Sequence, residues 1–183
     1  MPDETSTIAF RGRYLDVIWE AGREYTHNRR SRGVVLVIPL TAGGDIIFIE
    51  QYRWPLKRTV IEYPAGLVGD EGDADETFEA AARRELLEET GYEAGDLQFL
   101  LRGPSSPGSS TEVVSFYLAH DARKVREVGD CGHGRIEIHR IRLSGAAAWL
   151  NAKSAGGVLV DPRVYLGLHL AAAHHDASRS DRP

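Results

Sequence analysis

The apolar positions of this chain change their spacing from segment to segment, and each spacing predicts a different element. Gly33 to Leu40 (GVVLVIPL) is a continuous, largely β-branched run. It is too apolar for a half-exposed strand and is expected to be a buried one. Thr41-Ala42-Gly43-Gly44 forms a turn, and Asp45 to Gln51 reads as a second strand, which predicts a hairpin. From about Asp75 to Thr90 the composition shifts to Ala, Leu, Glu and Arg, the residues of a helix, with Gly91 as its C-terminal cap. Further strands are expected near Leu97–Leu101, Glu112–Ala119 and Arg135–Arg142. Helices are expected near Gly145–Lys153 and from Pro162 to about Ala173. Ile8 to Tyr25 mixes apolar, aromatic and charged residues and suits short strands, while Ser178 to Pro183 reads as a frayed end. Strands and helices mixed in this order predict a mixed sheet packed by helices, an α/β or α+β layered domain.

Composition narrows the class. The chain has 183 residues, 42% of them hydrophobic and 27% charged, which suits one soluble globular domain. A net charge of −5 argues against a nucleic-acid partner held through its phosphate backbone, although a small anionic substrate held by a metal remains compatible. With a single cysteine, Cys131, neither an intrachain disulfide nor a Cys-rich zinc site can form. The first residues carry no basic start or apolar leader, and no stretch is long enough to span a membrane, so no membrane partner and a reducing, cytoplasmic location are expected.

The informative segment is Arg84-Glu85-Leu86-Leu87-Glu88-Glu89-Thr90-Gly91. Glu85, Glu88 and Glu89 stand at i, i+3 and i+4, on one side of the helix. Glu-rich helices usually present such residues to solvent. Here, at about 100° per residue, Phe78 lies roughly 20° from Glu85, and Ala82 roughly 20° from Glu89. The carboxylates therefore border the stripe Phe78, Ala82, Leu86 that should face the sheet, whereas Glu76 and Arg83 fall opposite it. Two carboxylates about 6 Å apart repel by roughly 3 kcal/mol at an effective dielectric near 20. Three at a partly buried edge must take up protons or hold a cation. Oxygen-only ligands suit Mg²⁺ or Mn²⁺, and Arg84 is placed to steady Glu88 one turn on.

Glu76, seven residues, then Arg84-Glu85-Leu86-Leu87-Glu88-Glu89-Thr90-Gly91-Tyr92 resembles the Nudix box. Two departures stand out. The box glycine is matched in context by Gly66, in Pro64-Ala65-Gly66-Leu67-Val68, which makes the loop before Glu76 four residues longer, and Tyr92 replaces a final aliphatic residue. The resemblance implies a Nudix-type α/β/α sandwich with a mixed sheet. It implies that Glu85 and Glu89 are the main metal ligands, with Glu88 and the Ala65 carbonyl in the same shell. Arg84 would orient them, and Glu76 would close the loop onto the helix.

Features outside the box resemble the ADP-ribose and nucleotide-sugar pyrophosphatase branch. Gln51-Tyr52-Arg53 and Ile61-Glu62-Tyr63-Pro64-Ala65-Gly66 resemble its strand and entry loop, and Ser106 to Glu112 its second loop, with Pro107 sixteen residues past Gly91. By itself Pro107 is equally an ordinary turn residue. Arg53 is a candidate pyrophosphate clamp, since a guanidinium can engage phosphate oxygens bidentately. Glu62 and Glu112 are candidates for ribose or metal-shell contacts, and Trp19 and Tyr25 for base stacking across a homodimer interface. Arg23 stands where the branch pattern would place an aromatic. The water-activating residue is left open among Asp130, His133, Glu137 and a box glutamate such as Glu88.

The expected organisation is an N-terminal β extension over 1–32 for dimerisation and base binding, a Nudix domain over 33–173 and a flexible tail over 174–183. The expected activity is Mg²⁺-dependent hydrolysis of ADP-ribose or a related nucleoside diphosphate sugar to a nucleoside monophosphate and a sugar phosphate. GDP-mannose or UDP-glucose is the alternative substrate. A silent nucleotide sensor is the alternative from another class, motivated by the unusual Asp130–Gly134 loop. Whether Gly69–Asp75 acts as a lid is left open.

Overall fold

The computed structural model of the protein describes residues 6–69, 75–128 and 135–180, with side chains described as far as 174. Three strands, β1 (Thr7–Arg11), β2 (Leu15–Glu20) and β3 (Arg23–Asn28), form an antiparallel N-terminal sheet in that order. The other described residues build two four-stranded sheets, a two-stranded one and three helices. The first sheet runs β7 (Ala65–Leu67), β4 (Val34–Pro39), β10 (Val113–His120), β9 (Asp96–Pro104), with β4 and β10 parallel. The second runs β12 (Ile136–Arg142), β5 (Asp45–Arg53), β6 (Arg58–Glu62), β13 (Leu159–Val160), with β13 parallel to β6. Two short strands, β8 (Tyr92–Glu93) and β11 (Arg123–Lys124), pair beside them.

Residue alternation along the strands separates two cores. Val34, Leu36 and Ile38 of β4 join Ile46 and Phe48 of β5 under α2 (Leu143–Ala155) and α3 (Pro162–Ser180), through Leu150 and Val164. Val35, Val37 and Ile47 point the other way and meet Ala81, Ala82 and Leu86 of α1 (Phe78–Thr90). Both faces of β4 are covered, which is why its whole run is apolar. The fold is α/β, mixed sheets between one helix and two.

The hairpin expected between Gly33–Leu40 and Asp45–Gln51 is not formed. β4 has both edges occupied by β7 and β10, and β5 by β6 and β12, so the Thr41–Gly44 turn hands the chain from one sheet to the other. A lone Leu40–Ile46 bridge marks the crossing. The carboxylate helix starts at Phe78 rather than near Asp75, because the Thr77 hydroxyl accepts the Ala80 N–H at 3.1 Å and caps it. It ends at Gly91 in the left-handed region (φ 72°), as expected. α3 continues to Ser180, past the end expected near Ala173. No helix among the described residues is long and apolar enough to cross a membrane.

Candidate active site

The helix period places Glu85 and Leu86 side by side at the buried edge of α1. Glu85 is buried although charged, and Glu89 one turn on accepts the Ala65 N–H at 3.0 Å. Gly66 explains how the β7 backbone can lie so close. A Cβ there would stand 2.0 Å from the Glu85 carboxylate. Burial is the largest influence on Glu89 and raises its pKa to about 8; the Ala65 N–H opposes this, Glu85 and Glu62 add to it, and Arg53 offsets part.

Arg84 organises the rest. Its Nε donates to Glu76 at 2.8 Å, its Nη1 to Glu85 at 2.7 Å and to Glu88 at 3.2 Å, and its Nη2 to the Leu67 carbonyl at 3.0 Å. One guanidinium thus joins the helix to the β7 loop, and the Glu76 hydrogen bond raises its pKa further. Glu76 also accepts the Gly69 N–H at 2.8 Å, which closes the loop onto the helix. The hydrogen bond from Arg84 is the largest influence on Glu76 and lowers its pKa. Glu88 keeps a side chain 40% exposed at the rim.

A cavity of about 420 Å³ opens against Glu85, Glu89, Ala65 and Gly66 and is bounded by Arg53, Glu112 and Arg163. A second, of about 680 Å³, shares Arg53, Glu112 and Arg163 and continues past Glu62, Ser105 and Asp161. Strand register brings Gln51, Arg53 and Glu62 together. Buried Glu62 accepts from Arg53 Nε at 2.7 Å and from Gln51 Nε2 at 3.0 Å. Glu112 accepts from the Ser105 hydroxyl at 2.7 Å. Pro107 is exposed and lines neither cavity.

Arg163 is the site residue that the sequence reading missed. Asp161 precedes Pro162 at the start of α3, accepts the Arg163 N–H at 2.8 Å and grips the guanidinium Nε at 2.8 Å. The Asp-Pro pair signals a helix start, but only the parallel pairing of β13 with β6 carries that start to the cavity. Burial is the largest single influence on Arg163 and opposes its charge, but the Asp161 hydrogen bond together with the negative charges of Asp161, Glu62 and Glu112 raises its pKa.

Other expected residues are not brought to these cavities. Glu137 pairs with Glu50 across β12 and β5 and faces the α2 side, with His139 Nε2 3.9 Å away. Gln51 and Arg53, odd-numbered on β5, leave from the opposite face. Glu50, Glu137 and His139 could together offer a metal three ligand atoms. However, Glu50 already accepts from His139 and from Lys153, each at 2.8 Å. Trp19 lies on β2, half exposed, and the Tyr25 hydroxyl donates to Glu20 at 2.7 Å. The N-terminal sheet touches the site's second loop, where the Thr26 N–H donates to the Ser109 carbonyl at 2.9 Å and the Thr111 N–H donates to the Thr26 carbonyl at 3.0 Å. Asp130, Cys131 and His133 lie outside the described residues, as do residues 70–74 of the longer loop.

The arrangement is an all-oxygen donor set in which desolvation raises the pKa of one carboxylate, Glu89, to about 8. That suits a hard divalent cation, which would displace the Glu89 proton. Comparison with known proteins agrees with this construction. A NUDIX domain model matches residues 29–156. A methanol dehydrogenase activator of Bacillus methanolicus is 38% identical over 125 residues, covering 68% of this chain and 65% of that one. This chain thus spans a little under two thirds of that relative. An ADP-ribose pyrophosphatase of Bacillus subtilis is 33% identical over 155 residues, covering 78% of this chain and 81% of the relative. A GDP-mannose pyrophosphatase of Yersinia pestis is 29% identical over 153 residues, covering 79% and 73%. A solved ADP compounds hydrolase superposes with a TM-score of 0.72 over 96% of this chain and 94% of its own, at 22% identity, and shares the fold. With the box carboxylates on one helix edge, the Arg84 brace across them and the domain match over most of its length, the chain belongs to the Nudix family.

Proposed function

We propose that the protein hydrolyses the pyrophosphate bond of a nucleoside diphosphate sugar, ADP-ribose or a close relative, to a nucleoside monophosphate and a sugar phosphate. The observation that carries this reading is the pair Glu85, buried, and Glu89, half-buried, lining a cavity that also presents Arg53 and Arg163. Carboxylates on one side and guanidinium groups on the other match a metal–diphosphate, negative at the phosphates and positive at the ion. Relatives named for ADP-ribose and for GDP-mannose share the diphosphate and differ in base and sugar.

Glu85, Glu89, Glu88 and the Ala65 carbonyl would hold Mg²⁺ or Mn²⁺, and the bound ion would neutralise charge that develops on the phosphates. The protein's own groups do the rest. Arg84 fixes the directions of Glu85 and Glu88 through its two hydrogen bonds. Glu62 pins Arg53 and Asp161 pins Arg163, so each guanidinium is held with its remaining N–H groups available to one phosphate. Glu88, the box carboxylate with solvent access, takes the proton of the attacking water. Glu62 and Glu112 face the sugar half of the substrate, near Ser105.

The N-terminal sheet is assigned to a homodimer contact. It exposes Ile8, Phe10, Tyr14, Leu15 and Trp19, an apolar group of the kind that marks interfaces. A reducing, cytoplasmic setting belongs to the same reading and is compatible with a single cysteine, which can form no intrachain disulfide. The reading is tested by ³¹P spectroscopy of the products from ADP-ribose with Mg²⁺. Two monophosphate esters are expected; inorganic phosphate or pyrophosphate as the primary product would overturn it.

A further inference from the structure

Within one chain, neither Trp19 nor Tyr25 lines these cavities, so a stacking surface supplied by the same chain must come from another aromatic residue. Trp54 is a large aromatic side chain in the lining of the carboxylate cavity. It is 76% exposed, yet it borders the same cavity as Glu85, Glu89 and Arg53. Its backbone is fixed by the tight turn between β5 and β6, in which the Leu56 N–H donates to the Arg53 carbonyl at 3.0 Å and the Lys57 N–H to the Trp54 carbonyl at 3.3 Å. Tyr52 stands edge-on to the indole, with centroids 5.2 Å apart and ring planes at 86°. An edge-on neighbour braces a ring while leaving an indole this exposed with open π-surface.

We propose that the Trp54 indole, braced by Tyr52, is the stacking platform for the base of the nucleoside diphosphate. The inference rests on the hydrolase reading above. It follows from adjacency: Arg53 holds the diphosphate, and in a nucleotide a single ribose separates phosphate from base. The next residue of the chain supplies a planar, uncovered ring at the mouth of that cavity. Stacking is tolerant of base identity, because every base presents a π-face. Adenine and guanine substrates therefore gain alike, and the smaller uracil ring gains less.

The test compares wild type, Trp54→Ala and Trp54→Phe on ADP-ribose, GDP-mannose and a base-free probe. The probe is the mixed diphosphate of ribose 5-phosphate and methyl phosphate, which keeps the scissile bond. Trp54→Ala is expected to raise KM for the nucleotide substrates by about 5- to 150-fold, the usual range for loss of one base–aromatic stack, with kcat little changed. The base-free probe should show no change, and Trp54→Phe should recover most of the loss. Equal losses on all three substrates would make Trp54 a structural residue and overturn the proposal. So would unchanged kinetics accompanied by weaker self-association in sedimentation, which would make Trp54 a dimer contact. If the wild type turns over none of the substrates, it is the hydrolase reading that fails. The platform is then read from AMP binding by calorimetry, which Trp54→Ala must weaken if the proposal stands.

Discussion

Removing the charge of Glu89 should stabilise the metal-free protein, and by an amount that depends on pH. The folded chain holds the Glu89 proton up to about pH 8, whereas the ordinary value is 4.5. Between those limits the unfolded chain ionises freely and the folded one does not. The folded state therefore binds more protons, and stability falls as pH rises through the window. At 1.36 kcal/mol per pH unit the penalty reaches about 3 kcal/mol at neutral pH and about 5 kcal/mol above pH 8. Glu89→Gln removes the penalty and keeps an oxygen to accept the Ala65 N–H. For a chain of this length, about 3 kcal/mol corresponds to a Tm increase of roughly 6–12 °C. The assay is thermal unfolding of both proteins in chelator from pH 4 to pH 9. The curves should coincide near pH 4 and diverge above it, with the variant higher. Excess Mg²⁺ should raise the wild type and leave the variant where it was. Parallel curves at every pH would refute the reasoning, since they would mean that Glu89 ionises as an ordinary carboxyl despite its burial.

Further expectations follow from the same geometry. Gly66→Ala should displace the Glu85 carboxylate, lowering kcat/KM at least about 100-fold, the scale of a misplaced catalytic group, with Tm moved by only a few degrees. Arg84→Lys cannot reproduce hydrogen bonds to Glu76, Glu85, Glu88 and the Leu67 carbonyl from one fixed fork, so Mg²⁺ affinity measured by calorimetry should fall about 10- to 100-fold. Arg163→Ala should raise KM for diphosphate substrates about 10- to 100-fold, the effect of one lost charge-assisted hydrogen bond; an unchanged KM would confine Arg163 to capping α3. Deleting residues 1–28 should give a monomer in analytical ultracentrifugation, and a dimer that survives the deletion would move the interface elsewhere.

What the sequence showed and what it withheld divide along a physical line. The box on α1 was legible because its chemistry lies within three turns of one helix, where spacing alone fixes direction. Its cap at Gly91, its buried stripe and the Arg84–Glu88 contact follow from that period. Relations between strands were less legible. Gly33–Leu40 was read correctly as buried, but its partners lie at β7 and β10, and no local signal distinguishes a hairpin turn from a crossing between sheets. Glu137 shows the same limit. Its strand was expected, yet the register that puts it beside Glu50 on the α2 side comes from pairing with β5. Arg163 and Trp54 reach the cavity only through the β6–β13 pairing and the β5–β6 turn, contacts between segments distant in sequence or in loops with no motif of their own.

The central claim is that Glu85 and Glu89 serve hydrolysis of a nucleoside diphosphate sugar, and one experiment tests it most directly. Wild type, Glu85→Gln and Glu89→Gln are given ADP-ribose, GDP-mannose and UDP-glucose with Mg²⁺ or Mn²⁺, and phosphate released by a coupled phosphatase is followed. The account predicts metal-dependent turnover of at least one substrate by the wild type, reduced at least about 1,000-fold in both variants, because each removes a ligand of the metal that neutralises the diphosphate. No turnover of any substrate by the wild type, with ADP-ribose still bound, would contradict it and make the protein a nucleotide sensor built on a metal helix.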